Sequence, residues 1–384
     1  ALAHGVVPRH EQRPLEVACL QHGHALIELA DLLLQHRAGK PQPDTKDAFY
    51  RGSERIAQES LAYSSADLAA CKDLRDQLPL REAGLRSFIE KNGIDVKRVD
   101  LVISRGGLGR PAPAGAYAID EAMCEDLMEG RYGKHASALG PSMAMGLARQ
   151  YGMPAVVIDP PSTDEFAPLA RVSGLPEIER KSAFHALNQK AAARRAAAKL
   201  GRRYEEVNLV VAHLGGGITI GAHSRGQVID CTHGLTEGPF SPERAGALPT
   251  QDLLDLAGRV SPMELSGKLV GRGGLAAYLG TNDAVKVEAA VREGDARAGM
   301  IYRAMAYQVA KDIGAMAAVL SGDVDGVVLT GGLAHSGMLT GWVERQVTFI
   351  APVMVFPGED EMEAMAEGAL RILRGEETPG KYEP

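Results

Sequence analysis

Residues 207–231 leave little choice of local structure. An apolar run at 207–213 closes on Gly215-Gly216-Gly217, a second run at 218–223 closes on Ser224-Arg225-Gly226, and a third occupies 227–231. Three short runs with strand propensity joined by glycine turns predict an antiparallel meander. Helical periodicity follows at 250–258, 283–293 and 296–320. A strand at 325–330 then ends in Gly331-Gly332, a last strand is expected at 347–356, and a helix at 360–374. A meander followed by alternating helices and strands is the order of a ribonuclease-H-like α/β domain.

A weaker copy of that order comes first. Strands are expected at 48–51 and 55–61 around Gly52-Ser53, a helix at 82–92, and strands at 99–104 and 155–159. The fold expected is therefore α/β, with two duplicated ribonuclease-H-like domains and a ligand cleft between them. The boundaries expected are 45–160 plus 358–384 for the first domain and 161–357 for the second. Residues 1–44, rich in His and Gln, stand apart as an atypical, poorly packed segment with one helical pattern at 25–34.

At 384 residues the chain exceeds what one core usually supports, which also favours two domains. Its net charge of −7 argues against nucleic acid as a partner. No apolar run reaches the roughly 18 residues of a membrane span, and residues 1–30 lack a convincing signal peptide. Cys19, Cys71, Cys124 and Cys231 form no CxxC pair and read as reduced thiols of a cytoplasmic protein.

Several motifs bear on chemistry. The triple glycine 215–217 offers a nest of bare backbone N–H groups suited to a polyphosphate, or is a plain hairpin turn. Gly331-Gly332 lets a nucleotide approach the backbone, or serves close helix–strand packing. Arg105, Arg244 and Asp159 are ionised groups flanked by Gly or Pro at the ends of buried strands, a costly placement without a task or a partner. Arginine suits phosphoryl charge, being a rigid fork of donors that stays protonated. His185 opens a helix as Phe184-His185-Ala186-Leu187-Asn188-Gln189-Lys190. Glu361, in Gly358-Glu359-Asp360-Glu361, is either a helix-capping acid or a carboxylate for Mg²⁺.

Taken in order, these segments resemble the acetate and butyrate kinase family, on its butyrate side. The resemblance rests on Ser104-Arg105-Gly106-Gly107-Leu108, the run 134–140, the run 174–180, the run 184–190, and Val211-Ala212-His213-Leu214-Gly215-Gly216-Gly217. It continues through Gly238-Pro239-Phe240-Ser241-Pro242-Glu243-Arg244, the run 277–283, the run 329–336 and the run 356–362, spanning roughly 45–380. It implies two domains of the actin-like ATPase, sugar kinase, hexokinase and actin type, with ATP and Mg²⁺ as cofactors. It also implies transfer of the γ-phosphoryl group to butyrate or a branched short-chain carboxylate, and a homodimer or higher homo-oligomer. By the same resemblance Arg105 and Arg244 bind the carboxylate and the transferring phosphoryl, and His185 steadies the transition state. Asp159 and Glu361 fall at acidic positions tied to the metal and the attacking group. His213 and Gly215–Gly217 match the phosphate loop, and Gly280, Asn282, Asp283, Gly331 and Gly332 the nucleoside pocket.

Two departures stand out. The family begins with a strand and a loop of Asn, Pro, Gly and hydroxyl residues ahead of a Thr-Lys pair. Here Thr45-Lys46 follow the run 36–44, which contains neither Asn nor Ser. Either a frame slip or an altered N-terminus accounts for this, and the first sheet is expected to lack its leading strand. Ala138 stands where the family carries Asn. The alternatives are a nucleotide-binding protein without catalysis, and a relative acting on acetate or propionate.

Overall fold

The computed structural model describes residues 16–22, 45–64, 68, 71, 73–133 and 136–383. The helical pattern at 25–34, the run 36–44 and the Lys134-His135 part of the 134–140 motif lie outside these.

The meander forms as the glycine spacing dictates. Strands β7 (Asn208–Leu214), β8 (Ile218–Ser224) and β9 (Gln227–Cys231) pair antiparallel in sequence order. β10 (Gly326–Gly331) and β11 (Val353–Pro357) add on in parallel, giving the order β11-β10-β7-β8-β9. The run 347–356 divides differently from expectation. Val347 ends a helix whose side chain at that point is buried, and the strand starts only after Pro352.

The first sheet repeats the pattern. Its strands are β1 (Glu16–His22), β2 (Thr45–Arg51), β3 (Glu54–Leu61), β4 (Leu101–Ser104), β5 (Ala116–Ala118) and β6 (Ala155–Ile158), ordered β3-β2-β1-β4-β6-β5. β1-β2-β3 is antiparallel while β1-β4-β6 is parallel, the same directions as β7-β8-β9 and β7-β10-β11. The duplication read from the sequence is therefore a correspondence of topology.

That correspondence corrects one expectation. The first sheet does have a leading strand: β1 lies between β2 and β4, with Val17 and Cys19 fully buried. It ends at His22, so residues 23–44 separate it from β2. In the second half the matching connection is only Gly215–Gly217.

Helices cover both sheets. They include α1 (Leu78–Lys91), α2 (Glu121–Glu129), α3 (Leu139–Tyr151), α4 (Ala186–Lys199), α5 (Ala284–Arg292), α6 (Ala296–Val319), α7 (Gly337–Val347) and α8 (Glu361–Leu373). Helix α6 is buried along Ile301, Met305, Val309 and Ile313, an i, i+4 stripe that fills the core over β7 and β8. Helix α4 packs on β7 and β10 of the second sheet. Helix α8 leaves the second sheet and packs on β1 and β4 of the first through Met362, Met365 and Ala369. It thereby ties the halves together. Among the described residues, no helix is long and apolar enough to cross a membrane.

Candidate active site

Sheet edges bring the predicted residues together. Gly331 and Gly358 exchange two backbone hydrogen bonds, each 3.0 Å, which clasp the end of β10 to the lead-in of α8. Gly331 has φ +91, and a Cβ on it would sit 2.4 Å from Leu214 O. Only glycine lets the two strand ends approach this closely. The clasp carries Glu359 and Glu361 toward the first sheet. Glu361 Oε1 there meets Arg105 Nη2 at 3.1 Å, with the two side chains 5% and 14% exposed.

His185 and His213 form the centre. His213 is the penultimate residue of β7, directly opposite Thr219 of β8, and His185 is the N-cap of α4. Their rings stack with centroids 3.8 Å apart and planes 13° from parallel. His185 Nδ1 lies 2.8 Å from Thr219 Oγ1, and His213 Nδ1 lies 2.7 Å from Asn188 Oδ1. Burial holds the His185 pKa well below the usual histidine value, and the charges of His213, Arg244 and Arg105 push it the same way.

Arg244 reaches this centre from the loop after β9. Its Nη1 donates to Gly234 O at 2.7 Å, and the residue is 3% exposed. The guanidinium presses on Gly217. Ser241 Oγ holds the same turn by donating to Gly216 O at 2.5 Å. The triple-glycine bend, two arginines and two imidazoles consequently share one region, where the halves are joined by α8.

The other predicted residues are placed as follows. Gly280 caps the helix Gly274–Leu279 with φ +70, and Asp283 caps α5 by accepting from Val285 N and Lys286 N. Asn282 Nδ2 donates to Glu243 Oε2 at 3.3 Å. Glu243 also faces Gly216, whose Cβ position is 3.5 Å from its Oε1, so this loop is tied to the glycine bend. Gly332 opens the turn Gly332–His335 before α7 and has open space beside it. Asp159 adopts φ +41 after β6. Its carboxylate accepts from Gly115 N at 2.9 Å and Arg194 Nη1 at 3.4 Å. Ala138 is 1% exposed, its backbone lies against Gly107, and its side chain joins the cluster of Met123, Leu127 and Val157. Among the described residues, no group of three or more His, Cys, Asp or Glu side chains gathers as a metal cluster.

Residues 177–347 match the Acetokinase family model. The fold agrees over nearly the whole chain. Acetate kinase from Porphyromonas gingivalis superposes with a TM-score of 0.73 at 17% identity, covering 94% of this chain and 100% of that one. A propionate kinase from Francisella tularensis subsp. tularensis SCHU S4 gives 0.69 at 16%, covering 92% and 98%. Acetate kinase from Entamoeba histolytica gives 0.70 at 13%, covering 91% and 98%. At such identities the likeness is one of fold: two α/β halves in a duplicated ribonuclease-H-like arrangement.

Motif reading missed several side chains here. Asn188 and Gln189, adjacent at the start of α4, serve the two histidines, and Thr219 joins Gln189 to His185. Glu243 links the glycine bend to Asn282. Consecutive amides just after a helix-capping histidine were a usable signal. Thr219 had none, since a threonine in a strand is ordinary.

Proposed function

We propose that this chain transfers the γ-phosphoryl group of ATP to a short-chain carboxylate, with butyrate or a branched analogue as the acceptor. The observation that carries the reading is Arg244 lying on the Gly215–Gly217 bend beside the stacked His185 and His213, with Arg105 held by Glu361 two residues from the Glu359 carboxylate that faces His213. A carboxylate is already a nucleophile at neutral pH, so the reaction needs no strong base. It needs two anions brought into line and their charge spread.

In this reading Arg105 holds the carboxylate, oriented by Glu361. Arg244 lies across the transferring phosphoryl, the glycine bend with His213 cradles the remaining phosphates, and His185 donates a hydrogen bond to the phosphoryl as it moves. Gly280, Asn282, Asp283, Gly331 and Gly332 line the nucleoside side. Glu361, already paired, would reach Mg²⁺ through water, and the ion would neutralise phosphate charge. Asp159 acts through Arg194 and the Gly115 amide, holding the corner after β6. An apolar cavity of about 20 Å³ lined by Gly106, Gly107, Met123, Leu127 and Val157 lies behind the Arg105 loop and suits the end of an alkyl chain.

The test is an acyl-hydroxamate assay with ATP, Mg²⁺, hydroxylamine and a panel of acetate, propionate, butyrate and isobutyrate. Hydroxamate formation with the highest kcat/KM on a four-carbon acid is the expected result. A preference for acetate or propionate would move the acceptor assignment. ATP binding without any hydroxamate would overturn the kinase reading in favour of a nucleotide-binding protein.

A further inference from the structure

The hydrogen bonds around the stacked imidazoles determine which nitrogen carries each proton. Gln189 Nε2 lies 3.0 Å from Thr219 O. A backbone carbonyl only accepts, so the amide nitrogen is the atom that faces it. With the amide so oriented, Nε2 gives its second hydrogen to Thr219 Oγ1 at 2.9 Å. The His185 backbone N–H also points to Thr219 Oγ1, at 3.4 Å. Two donors fill the two lone pairs of the hydroxyl. Its own hydrogen then goes to the remaining neighbour, His185 Nδ1, at 2.8 Å. His185 Nδ1 is therefore an acceptor, and the ring proton sits on Nε2.

The other end of Gln189 extends the chain. Its Oε1 can only accept, and it does so from His223 Nε2 at 3.0 Å. His223 is fully buried, and burial followed by the charges of Lys190 and Arg194 keeps its pKa well below the usual value. The neutral ring has its one proton on Nε2, so Nδ1 accepts from the Tyr204 hydroxyl at 2.7 Å. Tyr204 is itself pinned under Lys190 and Arg194, each 5.7 Å from its ring centroid.

The same logic puts a proton on Nδ1 of His213, whose Nε2 faces Glu359 Oε1 at 3.7 Å. Asn188 Nδ2 donates to Glu359 O at 2.8 Å, which leaves Asn188 Oδ1 to accept from His213 Nδ1 at 2.7 Å.

We propose that the buried chain Tyr204–His223–Gln189–Thr219 is a positioning device that locks His185 in its Nε2–H form, as a neutral donor for the transferring phosphoryl oxygen, while the stacked His213 is held with its proton on Nδ1. The phosphoryl part rests on the function proposed above; the proton assignment does not. The arrangement has a physical use. Beside two guanidinium groups a positive charge on His185 would be repelled, whereas a neutral N–H still supplies a directed hydrogen bond. A donor locked in place before substrate arrives needs no reorganisation during reaction.

The experiment has two arms. In the first, ¹⁵N-histidine-labelled full-length protein is compared with His185→Asn to assign the ring nitrogens. The expected spectrum shows His185 with Nε2 protonated and Nδ1 bare, in one form. Protonation at Nδ1, or averaging between forms, would overturn the lock, and this reading holds whether or not the chain turns out to be a kinase. In the second arm, Thr219→Val is compared with Thr219→Ser. The valine variant is expected to lose about 10–100-fold in kcat with KM for ATP unchanged, and to show mixed His185 forms; serine should restore both. A valine variant within about twofold of the parent in kcat overturns the positioning role. If valine prevents folding, the serine variant and the parent spectrum decide: serine must keep the Nε2–H form.

Discussion

The guanidinium of Arg244 stands in the space that a side chain on Gly217 would take, with Nη1 2.0 Å from the position of a Cβ built there. The glycine of the phosphate-type bend is thus also the floor on which an arginine rests. An alanine at 217 would displace the far end of a flexible side chain, which is easier than moving backbone. Gly217→Ala is expected to lower kcat by about 10²-fold or more through misplacement of Arg244. It should cost less than about 2 kcal/mol of stability. Steady-state kinetics and a denaturant melt on the same preparation separate the two effects. Unchanged turnover would remove Arg244 from the proposed chemistry.

The Arg105–Glu361 pair joins the end of β4 to the first turn of α8 while both side chains are largely buried. Removing the arginine leaves a buried carboxylate behind. Arg105→Ala should lose at least about 10³-fold in turnover and about 3 kcal/mol of stability. Adding Glu361→Gln to it should recover most of the stability and none of the turnover. Recovery of turnover in the double variant would mean that Arg105 serves the fold alone.

Asp47 lies fully buried on β2, and neither carboxylate oxygen has a hydrogen-bond partner among the described residues. Burial, helped by Glu59 and opposed by Arg81, raises its pKa to about 7. In the unfolded chain the group ionises near 3.9. Between about pH 4 and 7 the folded protein holds a proton that the unfolded chain has released, so this group's contribution to stability declines as pH rises through that window. Asp47→Asn should therefore be more stable than the parent by roughly 2–4 kcal/mol above about pH 8. The gain should fade toward zero below about pH 4. Urea melts across the range check the sign, and a pH-independent difference would contradict it.

Gly331 combines a left-handed backbone with a carbonyl 2.4 Å from where a Cβ would sit. Here the obstacle is Leu214 backbone, which cannot swing aside. Gly331→Ala is expected to cost more than about 2 kcal/mol and to loosen the Gly331–Gly358 clasp. Hydrogen exchange at the amides of Gly331 and Gly358 should accelerate together, and exchange at parental rates would show that the clasp survives.

Much of the second half was legible because its signals are local. The three runs between 207 and 231, the strand before Gly331 and the long helix through Met305 each follow from alternation, glycine turns or an i, i+4 stripe. The leading strand β1 escaped for a physical reason. Glu16-Val17-Ala18-Cys19-Leu20-Gln21-His22 is short and partly polar, and residues 23–44 part it from the strand it joins. Its place in the sheet comes from pairing with β2 and β4, not from its own pattern. Arg105, His185 and Arg244 were found as motifs and Gln189 lay unread inside the run 184–190, but Thr219 carries no motif.

The amino-acid sequence by itself determined the meander, the strand before Gly331 and the long helix α6, and which residue types stand at their ends, since these depend on neighbours within a few positions. Tertiary structure alone decided that β1 completes the first sheet, that a guanidinium lies on Gly217, and which nitrogen of His185 holds its proton. Those outcomes depend on carbonyls and amides far apart along the chain, such as Thr219 O and Gln189 Nε2, becoming partners only after the sheets and α4 have packed.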